Sequence, residues 1–165
     1  MSLTLAILLA AIAVLAVPAV AETRFERIFP ADGVATSTKT EAPALVRDGT
    51  VVILATVNGT AQAALRVDSG ATDVVLARTT ATRPISAGSL THTDYVTTRT
   101  YRLTDGSLRS QKVYRLRSLQ VGALIVHGVP CTISKDGIGL LGQMILSQAR
   151  DWAMDNHRHV LTLTY

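Results

Sequence analysis

The chain contains a single cysteine, Cys131, among its 165 residues. No intramolecular disulfide can therefore form, which excludes the disulfide framework of small secreted domains. The residues around Cys131, 128–133, have the pattern of a strand. We therefore predict a buried structural thiol at this position rather than a nucleophile.

Aromatic residues are also scarce, at 4%, and charged residues make up only 17% of the chain against 48% hydrophobic residues. This composition excludes a disordered or fibrous protein and is sufficient for one domain with a core. The net charge is +4, and most of the positive surplus lies within residues 99–117. Because few aromatics interleave with this basic segment, we interpret it as a solvated hairpin face that favours anionic substrates or envelope polymers, and we expect no nucleic-acid partner.

The N-terminal residues 3–21 carry no charge and end in a small-x-small pattern at Ala21. This pattern predicts a signal peptide that is cleaved after Ala21. An uncleaved membrane anchor is the alternative, since the apolar run approaches the length of a membrane span. Residues 22–44 are polar and irregular and are predicted to be a linker, and the folded domain is predicted to be residues 45–165.

Short apolar runs separated by turn residues predict an all-β domain. Asn58-Gly59 suits the type I′ turn of a hairpin. One segment, residues 140–149, has the pattern of a short helix. The predicted strands are residues 51–57, 61–67, 95–103, 108–116, 119–121, 124–126, 129–133 and 159–165.

Three familiar site patterns are absent or incomplete. Residues 137–142 satisfy G-x-G-x-x-G, but too few residues follow for the βαβ unit of a dinucleotide site. Ser69 does not lie in the G-x-S-x-G sequence of a nucleophile elbow. No carboxylate or cysteine at ligand spacing completes a metal site with His157 and His159, so we predict no metal site.

The sequence Asp68-Ser69-Gly70-Ala71-Thr72 directly follows the apolar strand at residues 63–67. A carboxylate at a strand end can project into a cleft and act as a general base for water. The same tripeptide, Asp-Ser-Gly, is also an ordinary turn sequence. The motif alone therefore leaves both interpretations open.

A second motif lies about 70 residues downstream, where apolar residues lead into Gly142 and a short helix follows. The ordered pair of motifs resembles the retroviral-type aspartic proteases, and in particular the exported or membrane-anchored single-domain retropepsin-like proteases of bacteria. The segment that contains Trp152 and Asn156 strengthens this likeness. The resemblance covers about residues 48–165 and implies a retropepsin-like acid protease half-barrel with one short helix, located in the periplasm or anchored to the inner membrane facing it.

The resemblance implies that Asp68 activates water for attack on a peptide bond of a polypeptide substrate, without a cofactor. Such a reaction needs two carboxylates that share one proton. Since the chain carries one Asp-Ser/Thr-Gly motif, the second carboxylate must come from a second copy in a homodimer.

The resemblance also assigns the substrate-binding residues. Part of this set forms the floor of the site, and the rest belongs to a flap hairpin at residues 101–107. The set is Ser69, Gly70, Ala71, Thr72, Tyr101, Asp105, Gly106, Leu141 and Gly142.

Two other functions remain open. A non-catalytic binding or adaptor domain of the cell envelope could keep the same fold. A structural β-domain could use its basic hairpin to dock on an anionic surface.

Overall fold

The computed structural model describes residues 38–165 except residues 48, 104, 136 and 138. The predicted signal or anchor segment, residues 1–21, lies outside the described residues. Within the described part, no helix is both long enough and apolar enough to cross a membrane. The elements are β1 (Lys39–Arg47), β2 (Thr50–Val57), β3 (Ala61–Val67), β4 (Val74–Ala77), α1 (Arg78–Ser86), a 3₁₀ turn (His92–Asp94), β5 (Tyr95–Arg102), β6 (Leu108–Val121), β7 (Leu124–Ser134), β8 (Gly139–Leu141), α2 (Gln143–Leu146), β9 (Asp151–Asp155) and β10 (Val160–Thr164).

These strands form one sheet in the order β5-β6-β7-β4-β8-β3-β2-β1-β10-β9. The long strand β6 also pairs with β2, so the sheet folds back on itself around its core. Leucines from five different strands meet in that core with no exposed surface: Leu65, Leu76, Leu116, Leu141 and Leu161. The all-β fold class predicted from the sequence is confirmed.

The first strand, β1, belongs to two parts of the sheet. Its first half pairs with β10 and its second half, from Ala44, pairs with β2. The strand begins at Lys39, within the range predicted to be a linker. The sequence does not indicate this start, because Thr40, which points inward, is a polar residue rather than an apolar one. The Thr40 hydroxyl accepts a hydrogen bond from the Ala123 N–H at 2.7 Å, and this bond offsets the free-energy cost of burying the hydroxyl.

The predicted hairpins are present. Asn58 and Gly59 have φ angles of 52° and 70°, and the type I′ turn needs positive φ at both of these positions. The second and third predicted hairpins share one continuous strand, because β6 runs through the point where the sequence suggested a break. A short helix lies within the range predicted for it, 140–149, but α2 covers only Gln143–Leu146, and the first two residues of that range belong to strand β8.

A second helix, α1, lies in a segment for which the sequence indicates no element. Threonines and an internal proline, Pro84, have low helix propensity. The helix is stabilised by packing instead, since Ala81 and Pro84 are buried against the sheet. Tertiary contacts therefore override local propensity here.

We predict that Leu161→Ala lowers the free energy of unfolding by about 2–5 kcal/mol, because it leaves a cavity in the core beneath β10. Urea denaturation monitored by circular dichroism measures this change. Ile125→Ala is the matched control, since Ile125 is 49% exposed on β7. Equal destabilisation by both variants would show that β10 does not close the core.

Candidate active site

The Asp68 carboxylate lies where β3 ends beside β8. The two strands are parallel and pair Val67 with Leu141. The Asp68 N–H extends this ladder by donating to the Leu141 carbonyl at 3.1 Å. The backbone of Asp68 is therefore fixed by the sheet, whereas its side chain is partly exposed.

A tight turn follows Asp68. The Gly70 N–H donates to Asp68 Oδ1 at 2.9 Å, and the Ala71 N–H donates to the Asp68 carbonyl at 3.2 Å. A carboxylate that accepts a backbone N–H has a fixed orientation. The turn thus holds one carboxylate oxygen in place, and no described residue donates a hydrogen bond to Oδ2.

Gly142, which directly precedes α2, packs closely against the backbone of this turn. A Cβ atom on Gly142 would lie 2.4 Å from the Asp73 carbonyl oxygen and 2.6 Å from that of Ala71, so only glycine fits. The next two N–H groups, from Gln143 and Met144, donate to the Ala71 and Thr72 carbonyls at 2.8 and 2.9 Å. The backbone at the start of α2 thereby holds the turn that follows Asp68.

The structure brings most of the predicted floor residues together. Ser69, Gly70 and Thr72 are exposed in the turn, and Ala71 is partly buried. The buried side chain of Leu141 lies below them in the core. A further contact links the turn to α2, because Gln143 Nε2 donates to the Ser69 carbonyl at 3.1 Å.

The predicted flap residues divide into two groups. Asp105 and Gly106 lie at the exposed tip of the hairpin between β5 and β6. Asp105 Oδ1 accepts the Ser107 N–H at 2.9 Å, and hydrogen bonds from Ser107 hold the pKa of the Asp105 carboxyl below its usual value. Asp105 therefore shapes the tip, and among the described residues no hydrogen bond or ion pair links it to the turn after Asp68.

Tyr101, the third flap residue, contacts the floor through a residue that the sequence analysis missed. Its hydroxyl donates to Asp73 Oδ2 at 2.6 Å. Arg99, two residues earlier on β5, reaches the same oxygen at 3.2 Å. Asp73 lies in the turn that begins at Asp68, so it connects the flap strand to the floor.

The Asp73 carboxylate is only 4% exposed, and Oδ1 has no hydrogen-bond partner in the described part of the chain. Its stabilisation therefore rests on Tyr101 and Arg99. Burial, and then the hydrogen bond to Asp73, raise the pKa of Tyr101 to about 12. The phenol is consequently a neutral donor throughout the ordinary pH range.

Other reactive groups lie elsewhere. Cys131 is fully buried, which confirms the predicted structural thiol, and burial raises its pKa to about 12. The described residues contain no group of three or more side chains placed to bind a metal ion. Within the described part, the turn after Asp68 thus combines a fixed, partly exposed carboxylate with a buried one, Asp73, that hydrogen-bonds to strand β5.

Comparison with known proteins supports this interpretation. A family model described as aspartyl protease matches residues 53–147, which is more than half of the chain. A retropepsin-like aspartic protease from Rickettsia conorii has a similar structure, with a TM-score of 0.57 and 23% sequence identity over 81% of this chain and 98% of that one. No match was found among curated proteins. The chain therefore belongs to the aspartyl protease family and has the retropepsin-like fold.

Proposed function

We propose that this protein is an aspartic endopeptidase in which two copies of Asp68 form the catalytic dyad of a homodimer. The observation that carries the proposal is the Asp68 carboxylate, which is partly exposed and oriented by the Gly70 N–H at 2.9 Å. A non-catalytic domain would not need an accessible carboxylate held in this way. Membership of the aspartyl protease family supports hydrolysis of peptide bonds as the class of reaction.

The mechanism needs a second carboxylate close to the first. Two such groups a few Å apart cannot both ionise easily, so one remains neutral as the acid and the other acts as the base. The base removes a proton from a bound water, which attacks the peptide carbonyl, and the acid protonates the leaving amide. Asp73 does not supply this second group, because it is buried and paired with Tyr101 and Arg99. A two-fold dimer supplies it from a second Asp68.

The hairpin of β5 and β6 serves as the flap in this proposal. Tyr101 and Arg99 on β5 donate hydrogen bonds to Asp73, which lies five residues beyond Asp68 in the sequence. A hairpin held in this position would exclude water and contact the substrate backbone. Asp73 is then a positioning residue, since it acts on the substrate only through the flap.

We also propose that the protein is exported, with its domain in the periplasm or anchored to the inner membrane. The support is the uncharged apolar segment at residues 3–21. We expect the protein in the cell-envelope fraction, with a mature N-terminus at Glu22 if the leader is cleaved and at the original N-terminus if it is an anchor. N-terminal sequencing of the fractionated protein measures this. Recovery of the full chain from the cytosol alone would contradict export.

We predict that Asp68→Asn abolishes peptide cleavage and leaves the fold intact, because the amide cannot accept the proton of water. A fluorogenic peptide library assayed from acidic to neutral pH measures the activity, and circular dichroism checks the fold. Asp151→Asn is the matched control, since Asp151 is exposed on β9. Wild-type protein that cleaves no peptide would instead favour the non-catalytic binding domain.

The same Asp68→Asn variant tests the dimer. When it is mixed in ninefold excess with wild-type protein and the subunits exchange, most wild-type chains are paired with an inactive partner. Activity should then fall about tenfold if both carboxylates are required. Activity that is unchanged by the excess would show that one chain is sufficient.

We predict that Tyr101→Phe lowers kcat/KM about tenfold, because it removes a hydrogen bond to a buried carboxylate worth about 1.5–3 kcal/mol. Steady-state kinetics measure this loss. Tyr95→Phe is the control on the same strand, since its hydroxyl contacts only the exposed Thr98. An equal kcat/KM for Tyr101→Phe and the wild type would show that Asp73 does not position the flap.

A further inference from the structure

Arg66 lies on the same face of the sheet as Asp68. Side chains alternate along a strand, and Leu65 points into the core with no exposed surface. Arg66 therefore points to the opposite face, as does the side chain two residues later. Two strand residues span about 7 Å, so the Arg66 and Asp68 backbones are separated by about that distance.

The neighbours of Arg66 on this face are apolar. Arg66 pairs with Val52 on β2 and with Leu140 on β8, and Leu140 pairs in turn with Val75 on β4. Paired residues point to the same side of a sheet, and all four side chains are partly buried. We call this group, Val52, Arg66, Val75 and Leu140, the cleft wall.

The cation in the cleft wall has no counterion in the described part of the chain. None of the ion pairs or side-chain hydrogen bonds found there involves the Arg66 guanidinium, and its Nε is buried without a partner. A guanidinium in partly apolar surroundings loses hydration that only an anion or hydrogen-bond acceptor can replace. The other cation near the site, Arg99, does have a counterion within the chain, since it pairs with Asp73.

We propose that Arg66 determines substrate specificity by binding a carboxylate side chain, Asp or Glu, within two residues of the scissile bond. The proposal rests on the proposed protease function, which places the scissile bond at Asp68. In a two-fold dimer one Arg66 lies on each side of that bond, so acidic residues are favoured on either side. The apolar members of the cleft wall contact the hydrophobic parts of the same substrate segment.

The test compares matched peptides that carry Glu, Gln or Lys at each of the four positions around the cleaved bond. All are amidated at the C-terminus, so that only the side chain supplies a carboxylate, and the assay is run near pH 6, above the ordinary pKa of about 4.3 for Glu. We expect wild-type kcat/KM to favour Glu about tenfold at one or more positions. Arg66→Met should bring the ratio close to one, and Arg66→Glu should favour Lys over Gln.

Arg83→Met is the control, because Arg83 is exposed on α1, away from the basic segment and the flap, and its Glu-to-Gln ratio should equal that of the wild type. Arg66→Lys keeps the charge and should keep part of the preference, which separates recognition from a folding defect. A wild-type ratio of one, or an Arg66→Met variant that keeps the preference, would overturn the proposal. So would an Arg66→Met variant that slows all peptides equally and only shifts the pH profile, since Arg66 would then act on the dyad.

A binding measurement separates this proposal from the proposed function. Fluorescence anisotropy with the Asp68→Asn variant should show about tenfold tighter binding of the best Glu peptide than of its Gln partner, and Arg66→Met should remove the difference. If the wild type binds in this way but cleaves nothing, the carboxylate site stands and the protease function fails. If the wild type cleaves peptides with no Glu preference, the function stands and the carboxylate site fails. Tight binding of a Gln peptide only when its C-terminus is a free carboxylate would contradict side-chain recognition.

Discussion

The close approach of two backbones at Gly142 is the constraint on which the candidate site depends. No side chain fits there, since a Cβ would lie 2.4 Å from the Asp73 carbonyl oxygen. This approach lets the N–H groups of Gln143 and Met144 reach the carbonyls of the turn after Asp68. Once that turn is fixed, the Asp68 carboxylate lies at the surface and the Asp73 carboxylate lies inside. The two carboxylates have opposite environments because one turn orients both.

The parts of this arrangement that could be predicted from the sequence depend on local signals. Asp68 follows an apolar strand, Gly142 follows another, and the order of the two motifs is typical of the family. The start of β1 and helix α1 could not be predicted in this way. Thr40 occupies an inward position because a distant backbone N–H satisfies its hydroxyl, and Pro84 is in a helix because the sheet covers it. In both places a tertiary contact reverses the local preference.

The same reason explains why Asp73 was missed. Its partners, Arg99 and Tyr101, are 26 and 28 residues away in the sequence. Nothing in the local pattern distinguishes Asp73 from another polar turn residue. The sequence predicts a solvated face for the basic segment that contains Arg99, and Arg99 is indeed 46% exposed, yet its guanidinium contacts a buried carboxylate. Charge composition therefore located the segment but could not show which of its cations has a structural partner.

Asp73 and Arg66 differ in how their charges are satisfied, Asp73 being buried and Arg66 partly buried. Asp73 accepts hydrogen bonds from a neutral phenol and from a cation on β5, so its charge is satisfied within the chain and connects two elements. Arg66 points to the face that carries Asp68, among apolar neighbours, and no described carboxylate pairs with it. An unpaired charge of this kind lowers stability unless a ligand completes it. In the proposed protease, the group that would complete it is a carboxylate of the peptide substrate, so the missing counterion of Arg66 would favour an acidic peptide.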